Sequence, residues 1–469
     1  MNSSKLKMSS TNPTNEDAKL HGVGSKQSLP EAHGTIAIPS GIGFWRKLWA
    51  FSGPGFVVAV GYMDPGNWAT DLSGGSHFGY TLLSVVLLSN LMAVLLQSLS
   101  AKLGIVSGLD LAQACREHYS KPTAIVLWIM CELAIAACDL AEVIGSAIAL
   151  NLLFGMPLLW GVILTALDVF IVMYLQNKGF RYLEALVVTL IALIAVCFAV
   201  EIFLSKPDIK SVLLGFVPHA ELFRNQEMLY LGIGILGATV MPHNLYLHSS
   251  IVQTRNYAQT ESGKAEAIRF AVFDSTLALM FAFAINAAIL VMSAATFFAH
   301  GNHAVEDIRV ACQLLTPALG GAASFVFALA LLASGQNSTL TGTLAGQIVM
   351  EGFLDIRMRP WVRRFLTRAL ALLPAVGVIL YYSRGGTEQQ FEAVGNLLVL
   401  SQVVLSMQLG FAVIPLIQFT SDRAKMGRFV NGLWTKILAW LTATIILFLN
   451  IKYLADFLGI TKLLTKWLS

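Results

Sequence analysis

Eleven apolar runs recur between about residues 48 and 457, each too long for a strand, and they confine the chain to a bundle of membrane helices. They lie near 48–73, 79–101, 122–150, 156–176, 183–205, 227–253, 268–298, 321–350, 362–382, 390–418 and 433–457. A helix needs about 20 apolar residues to cross the hydrocarbon core. The dyad alternation of a membrane β-barrel is absent from these runs. The expected fold is therefore an all-α integral membrane protein with eleven spans. Composition agrees, since 12% of the 469 residues are charged, against about 25% in soluble domains. A soluble enzyme, a disordered chain and a secreted disulfide scaffold are excluded. The net charge of +4 is too small to suggest nucleic-acid binding. Cys115, Cys131, Cys138, Cys197 and Cys312 form no CxxC pair and read as small buried hydrophobes.

Residues 1–43 differ in kind. They are rich in Ser, Asn, Gly and Lys, lack apolar periodicity, and read as a disordered cytoplasmic tail. Residues 44–469 form the membrane domain. Most of the 31 Lys and Arg fall in that tail and in alternate loops, including Arg255, Arg363, Arg364 and Arg368. Basic loops stay inside, so the N-terminus is expected in the cytoplasm and, after an odd number of spans, the C-terminus outside.

Two spans are interrupted. Span 1 carries Asp64-Pro65-Gly66-Asn67 in its middle, and span 6 carries Gly237 and then Met241-Pro242-His243-Asn244. Pro removes a backbone donor, and Gly loosens the helix. A carboxylate at that depth costs about 2.5–3.5 kcal/mol on insertion scales. Matching breaks five spans apart point to an inverted-repeat transporter. Residues 44–205 and 220–418 would be the repeats, spans 1–5 and 6–10, with 433–457 an extra helix. Unwound backbone frees carbonyls for a cation, such as that of Ala238. Asp64 and Asn67 supply hard oxygens. Met241 either supplies a soft thioether, which suits a transition ion better than Mg²⁺ or Ca²⁺, or merely packs.

At these residues the sequence resembles the Nramp (natural resistance-associated macrophage protein) family, proton-coupled divalent-metal transporters of LeuT-like fold. The paired signatures carry the resemblance. It continues through Gly335-Gln336-Asn337-Ser338-Thr339, Thr341-Gly342-Thr343, Ala345-Gly346-Gln347, Met350-Glu351-Gly352-Phe353, Arg363-Arg364 and Ser401-Gln402-Val403. The short loops are similar to those of the family's bacterial manganese importers. The resemblance implies that Asp64, Asn67, the Ala238 carbonyl, Met241 and Gln402 bind metal. It implies that Asp64, His243, Asp139, Glu142, Arg363 and Arg364 serve a proton pathway. Asn337 and Gly410 depart from the family's usual Ser and Pro.

Proton coupling needs titratable groups inside the membrane. Asp139 and Glu142 are three apart on one helix face, with Glu132 on the same stripe. They either relay protons or pair with Arg363 or Arg364, and the two roles are compatible. His248 lies a turn and a half beyond His243. Asn90, Gln97, Asp168, Asp274 and Asn286 read as interhelical hydrogen-bonders. The expected function is import of Mn²⁺, with Fe²⁺ and Cd²⁺, by proton symport and alternating access in the cell membrane. No cofactor and no obligate protein partner are expected. A sodium-coupled amino-acid carrier would have Asp64 repel its substrate's carboxylate. An intramembrane metalloenzyme lacks HExxH and GxSxG. A passive channel fits two broken helices less well.

Overall fold

The computed structural model describes residues 28–30, 32–38, 43–165, 167, 174, 179–303, 305, 307–356, 360–382 and 387–458. Eight helices among them are long and apolar enough to cross a membrane: Leu83–Ser107, Lys121–Phe154, Phe180–Ser205, Gln226–Thr254, Glu261–His300, Gly321–Leu354, Gln389–Thr420 and Leu433–Phe457. The other three expected spans are seen differently. Span 1 is split into Pro54–Val60 and Pro65–Phe78. Span 4 begins at Leu158–Thr165, and most of its remainder, Asp168 included, lies outside the described residues. Span 9 is the helix Pro360–Tyr382, whose first turns are basic.

Both breaks fall where Pro dictates. Asp64 is extended (φ −71°, ψ 166°) and Pro65 opens the next helix. Met241 is extended (φ −71°, ψ 125°) and Pro242 opens the next. Proline pushes its predecessor out of the helical region and is well placed at a first helical position. Gly237, expected to interrupt span 6, instead stays helical within Gln226–Thr239, and the break comes at Val240–Met241. Its role is close approach. A Cβ on Gly237 would overlap the Gln402 backbone, and one on Gly66 would overlap the Gln402 side chain. These two glycines let the helix Thr387–Thr420 reach both breaks.

The helix Gly321–Leu354 packs along Lys121–Phe154, and Glu261–Thr296 packs along both halves of span 1. Trp68 is fully buried at the start of the second half, edge-on to Phe198 and Phe327. Trp45 and Trp49 are exposed. Gly410 lies against Leu447 of the last helix, and Asn337 donates to the Val187 carbonyl at 3.4 Å.

The stretch expected to be a featureless tail has structure at residues 28–30 and 32–38; residues 1–27, 31 and 39–42 lie outside the described residues. Leu29 N–H donates to Glu351 Oε2 at 3.0 Å, and Gly34 N–H to the Gln253 carbonyl at 3.0 Å. Ile36–Ala37 pairs in parallel with Arg255–Asn256. Leu29 and Ala32 are buried. Backbone hydrogen bonds to the ends of distant helices hold this polar segment, and composition does not encode such bonds.

Candidate metal-binding site

Asp64 caps the second half of span 1. Its Oδ1 accepts the Asn67 backbone N–H at 2.8 Å and the Asn67 amide at 2.7 Å. The same Asn67 Nδ2 reaches the carbonyls of Ala238 at 3.1 Å and Gly61 at 3.4 Å. One NH₂ group thus sits among three oxygens, two of them freed by the broken helices. Met241 Sδ lies beside Gly61 and accepts from Asn244 Nδ2 at 3.6 Å. Gln402 lies over Gly66 and donates to Ser401 Oγ at 2.9 Å. Asp64, Asn67, Ala238, Met241 and Gln402 are all buried, at 1% exposure or less. Among the described residues, Asp64 Oδ2 and Gln402 Oε1 meet no donor. The five residues singled out in the sequence therefore converge. The site holds one carboxylate, and among the described residues no three His, Cys, Asp or Glu gather as a resident metal site would require.

Asp139 and Glu142 are brought together as expected, and Arg368, not singled out as their partner in the sequence, stands beside both. Arg368 Nη1 lies 3.3 Å from Glu142 Oε2 and 3.9 Å from Asp139 Oδ1. Thr339 Oγ1 donates to Glu142 at 3.0 Å and accepts from Arg368 Nη2 at 3.1 Å. Arg368, expected in an inside loop, is buried because the helix begins at Pro360 and carries it two turns inward. Arg363 and Arg364 lie on the first turn, and their side chains fall outside the described residues. Sequence reasoning also missed Cys138, read as a small hydrophobe. Its Sγ lies 3.6 Å from Glu142 Oε1, and it packs in one cluster with Met241, Ala134 and Leu405. Cys138 joins the acidic pair to the soft side of the metal site. Glu132 is half-buried and accepts from Trp128 at 3.1 Å.

His243 is fully buried, and among the described residues neither ring nitrogen has a hydrogen-bond partner. His248 Nδ1 lies 3.0 Å from Gln97 Oε1, and Gln97 donates to the Tyr62 hydroxyl at 2.7 Å. Asn286 donates to the Tyr62 carbonyl at 2.7 Å and to Asn67 Oδ1 at 3.2 Å. Gln97, Asn286 and Asp274 make the interhelical bonds expected of them, as does Asn90 with the Met280 sulfur at 3.6 Å.

A second polar network grips the start of span 1. Asp274 accepts from Ser52 Oγ at 2.6 Å and Gly55 N–H at 2.7 Å. Arg255, expected in a loop, is buried, donating to the carbonyls of Phe51 and Ser52 and to Glu184 at 2.7 Å. Burial alone would lower its charge preference, and Glu184 opposes that.

A bundle in which two broken helices face one buried carboxylate defines a LeuT-type membrane transporter rather than an enzyme. The fold agrees with the transporters Mhp1 (TM-score 0.57, 15% identity, 92% of this chain and 96% of that one) and MhsT (0.58, 16%, 86% and 98%). The Natural resistance-associated macrophage protein-like (Nramp) family matches residues 55–456, and the chain belongs to that family. It is 61% identical over 428 residues to a Divalent metal cation transporter MntH of Listeria innocua, covering 91% of this chain and 94% of that one. It is 59% identical over 427 residues to one from Nostoc sp., covering 91% and 95%. The manganese transporter of Eremococcus coleocola superposes with a TM-score of 0.85 at 43% identity, covering 92% of each chain.

Proposed function

We propose that the chain imports divalent transition ions, chiefly Mn²⁺ with Fe²⁺ and Cd²⁺ also accepted, in symport with protons and by alternating access. The Asn67 amide carries this reading, because its NH₂ group fills the place among Asp64 Oδ1, Ala238 O and Gly61 O. A cation arriving there replaces that donor. The amide then turns to offer Oδ1, Asp64 Oδ2 and Gln402 Oε1 close in, and Met241 adds sulfur. Mixed oxygen and sulfur donors favour transition ions over Ca²⁺. The names of the relatives support a metal substrate.

The metal's charge opposes a proton on Asp64. The proton leaves by His243, or by Asp139 and Glu142, with Arg368 as their counter-charge and Cys138 between them and the site. The family resemblance adds Arg363 and Arg364 to that route, and His248 follows His243 on the same helix. Basic residues at the tail side orient the N-terminus to the cytoplasm and the C-terminus outward, in a cell membrane. Residues 44–205 and 220–418 act as the two inverted repeats, with 433–457 peripheral.

Calorimetry tests the ligand set. Met241→Ala should weaken Cd²⁺ binding by about 10-fold or more and narrow its margin over Ca²⁺. Unchanged selectivity would remove Met241 from the set.

A further inference from the structure

Asp71 is a carboxylate without a role in the proposed transport cycle. It stands four residues beyond Asn67 and so on the same face of Pro65–Phe78, the outward half of span 1 in the orientation proposed above. It is 1% exposed, and its Oδ2 meets no donor. Among the described residues nothing donates to it and no cation pairs with it. Polar groups on the adjoining residue and on the helix packed against this one have other partners. Asn286 Nδ2 serves Tyr62 and Asn67, leaving Asn286 Oδ1 a second acceptor without a donor. Ser293 Oγ donates to the Leu72 carbonyl at 2.6 Å, and Thr70 Oγ1 to the Asn67 carbonyl at 3.0 Å. Seven residues before it, and on the same face, stands Asp64, a carboxylate of the same sign. The two lie about 10 Å apart along the chain, from seven residues at helical rise. A buried carboxylate with a donorless oxygen, on the helix face that leads to Asp64 and Asn67, calls for a cation.

We propose that Asp71 is a second station for the transported divalent cation, outward of Asp64, from which the ion passes to Asp64 and Asn67. The inference rests on the metal reading of the Asp64 site and deepens it. A staging carboxylate raises the local cation concentration, so its loss weakens apparent affinity more than maximal rate.

The test is Mn²⁺ uptake into proteoliposomes against external Mn²⁺, with Asp71→Asn and Asp64→Asn in parallel. Asn keeps the shape of Asp and equals a carboxyl that merely holds a proton. Asp71→Asn should raise KM about 10-fold or more with maximal rate within about twofold, while Asp71→Glu stays within about threefold of the wild-type KM. Asp71→Ser supplies the same comparison if the Asn variant does not fold. A wild-type KM in the uncharged variants, or a Glu variant as impaired as they are, overturns the inference. In that case a dead Asp64→Asn leaves the metal reading standing, and an active one removes it as well.

Discussion

Arg368 lies within 4 Å of two carboxylates, and all three side chains are withdrawn from solvent. Removing one member of a buried ionic group leaves the others uncompensated, at about 3–5 kcal/mol. Arg368→Ala should therefore lower the melting temperature in detergent sharply, and adding Asp139→Asn with Glu142→Gln should restore much of the loss. Equal melting of Arg368→Ala and wild type would show that the acids do not need this charge. Asp64 and Asn67 stood out as candidates in the sequence because a polar group beside Pro inside an apolar run has few bland explanations, whereas Met241, which could equally pack, was singled out only by the family resemblance. Arg368 was not, because it closes a basic run that begins in a loop. Whether it faces water or the bundle depends on where the helix starts. Cys138 was illegible for a related reason, since a thiol packs like a small hydrophobe until its neighbours are known.

At the scale of elements, the breaks in spans 1 and 6 could be placed to the residue, because proline acts locally. The function of Gly237 could not, because a helical glycine looks the same whether it bends its own helix or admits another. The clamp on Pro54–Val60 likewise depends on groups over 200 residues away. Asp274→Ala removes the acceptor for the first N–H groups of that helix. A cysteine placed at Ser52 should then react with a water-soluble maleimide about 10-fold faster, since local opening follows the bonds that hold it. An unchanged rate would mean that the Arg255 contacts hold the segment alone.

The loop helix Leu111–His118 carries a pH-dependent element. Asp110 caps it, with Gln113 completing a capping box, and burial pushes the Asp110 carboxyl up to about 6. The folded state thus holds this proton more tightly than the unfolded chain, whose carboxyl titrates near 3.9. Its contribution is greatest below about pH 4, declines as pH rises to about 6, and is constant above that; the change is on the order of 3 kcal/mol. Asp110→Asn should flatten this component, so the variant gains on wild type between pH 4.5 and pH 7.5 in thermal melts. A constant difference between the two proteins would show that Asp110 does not titrate in this range.

At the scale of the whole molecule, scarce charge is the organising fact. The fold surrounds Asp64, Asp139, Glu142 and Arg368 with apolar helices, so each ionic event there couples to how the helices sit. Asp64 with its oxygens at the two breaks, and the acid pair reached through Cys138, form two connected sites. The proposed coupling of one flux to the other would run through that connection. The direct measurement is Mn²⁺ uptake into proteoliposomes with a simultaneous reading of internal pH. Mn²⁺ entry should acidify the lumen, Asp64→Asn should abolish both signals, and Asp139→Asn should reduce acidification more than Mn²⁺ uptake. Mn²⁺ entry by the wild-type protein with no change in internal pH would contradict proton-coupled import.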